Sequence, residues 1–403
     1  MTETLPDARP IPLDRVSPFD PPPELGELLA HHPLSRLCYP DGHIGWLVTG
    51  YDLARQVLTD RRFSSRNDLL RPIVPLPVAD EKGLRPVAPG TFIAMDPPEH
   101  TRYRRLLTGQ FTRRRMERIE PRVTEIIDAH LDEMQRVGPP VDLVRSFAST
   151  IPSLVICELL GVPEDERQRV QHYSAMLVRL NATPDEAKAA RQSFMDYITD
   201  LVRRKRSMPG DDLISAVLAA GELTEEELGG VCFLLLFGGH ETTANMLGLG
   251  VYALLRNPDQ TARLRADLSL MDRAVDDLLR YLSVVQMGTV RGALEDIELN
   301  GRLIRKGDSV CVSLPAVNRD PSRFTDPDRL DITRPEGGHL AFGYGIHRCI
   351  GEPLARLELR VGYTRLLQRL PNLRLAVPAE QVVMRTNMII YGVHALPVTW
   401  DTT

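Results

Sequence analysis

The sequence predicts a mainly α protein with small β-sheets, an α+β architecture arranged around one long central helix. Three observations carry that prediction. First, Thr224-Glu225-Glu226-Glu227 forms a capping box, and Asn257-Pro258 stops the pattern roughly thirty residues later. A helix of that length, apolar on most sides, belongs in a core. Second, helical patterns recur on both sides of it, over residues 122–137, 143–160, 164–180, 185–206 and the amphipathic Met271–Leu282. Third, β-patterns are short and bounded by turns: Gly45-Trp46-Leu47-Val48-Thr49-Gly50, Ile297-Glu298-Leu299 running into Asn300-Gly301, and residues 309–314 after Lys306-Gly307-Asp308.

With 403 residues, 43% of them hydrophobic, the chain can build a sizeable core. The proline-rich start, with Pro21-Pro22-Pro23, predicts an extended surface arm over residues 1–24, followed by a single domain over residues 25–403. A net charge of −5 argues against nucleic acid as the main partner. Five dispersed cysteines (Cys38, Cys157, Cys232, Cys311 and Cys349) with no C-x-x-C pair fit a reducing compartment, not a disulfide scaffold or a zinc site. Residues 1–6 show neither a basic nor an apolar leader pattern, and the longest apolar stretch, 231–255, is interrupted by Gly238-Gly239-His240-Glu241-Thr242-Thr243. A soluble, cytoplasmic protein without membrane contact is expected.

In chain order, residues 53–58 read as a short helix after the first strand. Residues 63–92 show no clear period, and prolines recur at Pro72, Pro75, Pro77, Pro86 and Pro89; a loop of that length is functional or mobile. Asp96-Pro97-Pro98-Glu99-His100 opens a helix on which His100 and Arg104 share one face. In the middle of the central helix, two glycines and paired threonines weaken the hydrogen-bond ladder and predict a local opening for water or dioxygen. Finally, Phe342-Gly343-Tyr344-Gly345-Ile346-His347-Arg348-Cys349-Ile350-Gly351 places one cysteine in a glycine-rich turn at the start of a helix. Unpaired N–H groups and the helix dipole there favour a thiolate.

Those ten residues resemble the haem-binding loop of the cytochrome P-450 family, Phe-Gly-x-Gly-x-His-x-Cys-x-Gly, at every fixed position. The resemblance extends from about residue 40 to the C-terminus through four motifs in order. It implies the cytochrome P-450 fold, with the long central helix over a haem b whose axial ligand is the Cys349 thiolate. His100, Arg104, Arg291 and His347 then bind the haem propionates, with Phe342 and Gly343 against the cofactor. Glu241 and Thr242 match the family's acid–alcohol pair: Thr242 hydrogen-bonds bound oxygen and Glu241 brings protons from solvent. The implied activity is monooxygenation, inserting one atom of O2 into a hydrophobic small molecule by hydroxylation or epoxidation, in the tailoring of a macrolide, polyketide, terpenoid or peptide. Oxidative coupling or desaturation by the same chemistry, a haem-binding protein without turnover, and an α-protein without haem are the alternatives.

The resemblance also implies a monomer fed with electrons from NAD(P)H by a ferredoxin and a ferredoxin reductase, docking on a basic patch with Arg348 and Arg356, and Arg102 and Arg105 nearby. Walls of the substrate pocket are expected from residues 63–92, Leu235, Gly238–Thr242, residues 284–288 and residues 387–390, with Gln286 and Asn387 orienting the substrate. One position departs from the family. Asp277 stands where the Glu of Glu-x-x-Arg is usual, ahead of Arg280. Its shorter reach toward Arg334, or Arg329, predicts a shifted or water-mediated network, and Asp277→Glu is expected to keep haem content.

Overall fold

The computed structural model describes residues 7–74, 87–177, 183–386 and 388–402. In chain order the elements are α1 (Pro23–His31), β1 (Leu34–Cys38), β2 (Ile44–Val48), α2 (Tyr51–Thr59), β3 (Phe63–Ser64), α3 (Glu99–Thr108), α4 (Arg113–Val137), β4 (Val141–Asp142) and α5 (Thr150–Leu160). There follow α6 (Arg167–Leu177), α7 (Pro184–Ser207), α8 (Leu213–Ala220), α9 (Glu225–Arg256), α10 (Pro258–Ala266) and α11 (Met271–Leu282). The last third holds β5 (Thr289–Ala293), β6 (Ile297–Leu299), β7 (Arg302–Ile304), β8 (Ser309–Val312), α12 (Leu314–Val317), α13 (Glu352–Arg369), β9 (Arg374–Leu375) and β10 (Pro397–Thr399).

The central helix α9 packs against α5, α7 and α13. Its start is fixed as the capping box predicts: Thr224 Oγ1 accepts from the Glu227 amide (3.2 Å), and Glu227 Oε2 accepts from the Thr224 amide (2.8 Å). Tyr363 of α13 donates to the Met246 carbonyl at 2.6 Å and ties the two helices together. Beside this helical body lies a five-stranded sheet in the order β1-β2-β8-β5-β3. Arg291 of β5 pairs in register with Val310 of β8, so the sheet sets the position of that arginine.

Four features depart from the pattern. Helix α4 begins at Arg113, well before residue 122, because Thr112 caps it by accepting from the Arg115 amide (3.3 Å) and Met116 and Ile119 are buried despite the polar surroundings. The span 143–160 divides into a π-helical segment, Val144–Ala148, and α5. Helix α8 carries no amphipathic signal; Asp212 starts it by accepting from the Ser215 amide (2.8 Å). The N-terminal stretch is also less peripheral than an arm: Phe19 is buried between Tyr252 and Tyr281, and α1 already starts at Pro23. Residues 75–86 of the irregular stretch and Asn387 lie outside the described residues.

Candidate functional site

The Cys349 loop connects the meander after α12 to α13. Its amide donates to the Phe342 carbonyl (2.9 Å), closing the turn. Gly345, at φ +73°, lies so close to α2 that a Cβ would sit 2.5 Å from the Leu58 carbonyl oxygen; only glycine fits there. Phe342 packs beside His339 with the Arg356 guanidinium 5.4 Å from its ring centre, and Gly343 takes φ +71°. The Cys349 side chain is exposed although protein surrounds it on nearly every side, which places it at the edge of an interior space. Burial pushes the Cys349 thiol up, against the pull of the Gly351 and Glu352 amides and Arg104.

On one side of this cysteine four nitrogen-bearing side chains gather from separate elements. His100 and Arg104 come from α3, Arg291 from β5 and His347 from the loop; the two imidazoles lie 4.1 Å apart, centre to centre. Both ring nitrogens of His100 are buried without a hydrogen-bond partner. Burial, then Arg104, lowers His100 to about 4; burial, then Arg291, His100 and Arg104, lowers His347 to about 3. Burial also lowers Arg291 to about 10 and pulls Arg104 down. Among the described residues none of the four has a carboxylate in ion-pair contact; the nearby Asp96 accepts instead from Ser64 Oγ (2.5 Å) and the Ser65 amide (2.9 Å). Such a cluster without internal counter-charge suits an anionic group. With a cysteine at the edge of an interior space, the residues fit a haem with two propionates.

Helix α9 runs without interruption from Glu225 to Arg256, so the predicted opening is not a break in the helix. Two carbonyls carry extra side-chain bonds: Thr242 Oγ1 donates to Gly238 O (2.9 Å) and Asn245 Nδ2 to Glu241 O (2.8 Å). Phe237 and Gly238 are exposed although Leu235 and Leu236 just before them and all residues from Thr243 to Leu254 are buried. Glu241 is ion-paired to Arg385 at 2.5 Å. Sequence reasoning missed both Phe237 and Arg385; the first is hidden in an apolar run, and the second meets Glu241 only through the fold.

Two cavities of about 830 and 320 Å³ share Arg291 in their walls. The larger includes His347 and Asp96. The smaller contains Met287, Gly288 and Ile389, from two of the expected pocket walls, with Ser65, Asn67 and Thr289 as polar groups. Gln286 does not line either cavity: it is buried, and its amide donates to the Thr386 (3.1 Å) and Met388 carbonyls, holding the C-terminal segment in place.

The Asp277 network is direct, not shifted or water-mediated. Asp277 Oδ1 meets Arg280 Nε at 2.6 Å and Arg334 Nε at 2.8 Å, while Oδ2 accepts from the Asp331 amide at 2.6 Å. Arg280 also donates to the Asn318, Pro327 and Arg329 carbonyls. The meander wraps closely enough to bring Arg334 to the shorter acid. The four arginines expected to form a basic patch are likewise committed within the chain: Arg348 and Arg356 pair with Glu352, Arg356 also with Asp276, Arg102 with Glu227 and Arg105 with Glu222.

Fold and site together fit a haem protein. The cytochrome P-450 family model matches residues 46–388. The chain is 46% identical over 383 residues to cytochrome P-450 105C1 of a Streptomyces species, covering 95% of this chain and 96% of that protein. It is 43% identical to the pentalenic acid synthase of Streptomyces avermitilis, with 96% of each chain covered. A solved cytochrome P-450 in complex with filipin I superposes with a TM-score of 0.91 at 41% identity, covering 98% of this chain and all of that one. The chain belongs to the cytochrome P-450 family. It is a haem-thiolate monooxygenase that uses a substrate, O2 and redox partners. Among the described residues no helix is long and apolar enough to cross a membrane.

Proposed function

We propose that Cys349 is the axial haem ligand, that His100, Arg104, Arg291 and His347 hold the propionates, and that Phe342 and Gly343 form the loop surface against the ring. The observation that carries this reading is the cluster of Arg104, Arg291 and two histidines without a carboxylate partner, together with the accessible Cys349 of the glycine-rich loop. Bound haem supplies dioxygen activation and one-electron chemistry; the chain supplies position, charge and protons. Arg291 and Arg104 neutralise carboxylates that are poorly hydrated at this depth, and the anions in turn raise the two histidines toward their charged forms. Glu241 and Thr242 move protons along α9. Thr242 spends its hydroxyl proton on Gly238 O, so its oxygen is an acceptor for water until the side chain rotates.

The substrate is proposed to be a bulky hydrophobic secondary metabolite, hydroxylated or epoxidised. Support comes from the apolar walls at Leu70, Ile93, Met287 and Ile389 and from relatives that include a pentalenic acid synthase and the filipin I complex. Ferredoxin and ferredoxin reductase are the proposed electron donors to a cytoplasmic monomer. The test of the ligand assignment is the absorption of the reduced protein under carbon monoxide. A Soret band near about 450 nm marks thiolate ligation. It is expected for the natural chain and absent for Cys349→His; a band unchanged in Cys349→His would overturn the assignment.

A further inference from the structure

One arginine braces the cysteine loop. Arg356, in the second turn of α13, holds its guanidinium over the Phe342 ring, 5.4 Å from the ring centre. Two carboxylates fix it there. Nη2 donates to Asp276 Oδ1 of α11 at 2.7 Å, and Nε donates to Glu352 Oε1, one turn earlier on α13, at 3.0 Å. Both acids are largely buried, with 8% and 12% of their side chains exposed. A lysine could reach one of these acids but could not serve both and also cover a ring.

The same brace reaches the loop by a second route. The Ala341 amide donates to His339 Nδ1 (3.2 Å), which leaves Nε2 to donate to Asp276 Oδ1 (3.1 Å). Phe342 lies 6.0 Å from the His339 ring, centre to centre, and its carbonyl accepts from the Cys349 amide at 2.9 Å. The residue whose ring carries the cation is therefore hydrogen-bonded to the cysteine itself. Arg348 shares Glu352 with Arg356 (2.6 Å), but half of its side chain is exposed, and the guanidinium over Phe342 is that of Arg356.

We infer that Arg356 is a positioning residue for electron entry: pinned by Asp276 and Glu352, it holds the Phe342 ring and sets, through that ring, the reduction potential of the haem on Cys349. The inference rests on the reading of Cys349 as the axial ligand and Phe342 as a surface against the cofactor. Reduction adds one electron, supplied by the redox partner, and with it one negative charge at the haem. A fixed cation favours that added charge, and its removal would leave Asp276 and Glu352 less compensated, which acts in the same direction. A cation over the face of an aromatic ring draws on its π-density and leaves the edge more positive, so the ring passes part of the charge on to the loop.

The test is a redox titration of the haem-loaded full chain with dithionite and mediators, which needs neither substrate nor redox partner. At the midpoint of the natural chain, Arg356→Gln is expected to lower the ferrous-to-ferric ratio about tenfold, a downward shift of about 59 mV. Arg356→Lys keeps the charge without the fork and is expected to lower the ratio about threefold. Arg348→Gln removes an equal but more exposed charge from Glu352 and should change the ratio less than about twofold. In a Phe342→Leu background, Arg356→Gln should lower the ratio less than about threefold, because the ring that relays the effect is gone. An Arg356→Gln protein that is less stable but keeps its ratio within about twofold of the natural one makes Arg356 scaffold only and overturns the inference. So does a loss that persists undiminished in the Phe342→Leu background or is matched by Arg348→Gln. If the glutamine variant takes up no haem, Arg356→Lys is judged in its place by the same criteria. The reduced carbon monoxide band is recorded alongside: its absence from the natural chain overturns the ligand assignment and the inference with it, whereas a band in place with an unmoved potential overturns the inference alone.

Discussion

Two clusters of buried charge lie on opposite accounts of the same electrostatic rule. Around Asp277, every charge is answered from within: one carboxylate serves two arginines and an amide, and Arg280, with 1% of its side chain exposed, spends its remaining donors on backbone carbonyls. The neighbouring Asp276 is treated the same way. Burial opposes its ionisation, but His339, the Gly337 amide and Arg356 hold the carboxyl below its ordinary range. Around His100, the opposite holds: four basic groups converge and none has an acid in contact. A paired network stabilises the chain as it stands, whereas an unpaired one costs stability until a ligand of opposite charge arrives. The contrast separates scaffold from site without reference to either motif.

The largest effect is expected where the paired network is broken. Asp277→Ala leaves Arg280 buried without its acid and should cost about 3–5 kcal/mol in denaturant unfolding of the haem-loaded protein. A loss below 1 kcal/mol would mean that the backbone carbonyls alone carry Arg280. In the unpaired cluster the same kind of change should act on the ligand instead. Arg291→Met is expected to leave the haem-free chain as stable as before or raise it by about 1 kcal/mol. Haem binding should weaken by about 1.5–3 kcal/mol, the worth of a hydrogen bond to a charged group, measured by transfer of haem to apomyoglobin. Equal loss in both assays would erase the distinction between the clusters.

Asp277→Glu sharpens the comparison from the other side. Haem content should persist, but the acid already meets all three partners directly, so an added methylene is expected to cost about 1–3 kcal/mol through crowding; a gain in stability would refute the direct fit.

Acid titration is a gentler probe. His100 is lowered from 6.5 to about 4, so the unfolded chain binds the extra proton between those values. The haem-free protein should therefore lose stability as pH falls through that window, and the haem-loaded protein should lose less of it, because propionates raise the histidine. Parallel pH–stability curves for the two forms would show that His100 faces no anion. Smallest of all, Arg348→Ala removes a half-exposed arginine from Glu352, which keeps Arg356 as its partner, and should change stability by less than about 1 kcal/mol.

Local signals in the sequence determined a good deal of this molecule. The capping box at Thr224 and the stop at Asn257-Pro258 delimit α9 because both act within one turn of the helix end. Asn300-Gly301 turns β6 into β7 because both residues accept positive φ. The cysteine loop was legible because its spacing is a local requirement of one backbone turn. Short elements whose cues are not periodic were less visible: α8 is apolar apart from Ser215 and α4 starts in a run of arginines, so neither begins with an amphipathic signal.

What only the tertiary structure decided are contacts between residues far apart in the chain. Sequence placed Asp277 one methylene short of its usual partner; the approach of the meander, fixed by packing, made that length sufficient. It marked Glu241 as an acid near an alcohol, and the docking of Gly392 on Asn245 supplied Arg385. It suggested a basic patch from four arginines, each of which folding brings against a carboxylate. Charge is written in the sequence, but whether a charge is answered depends on distances that only folding sets.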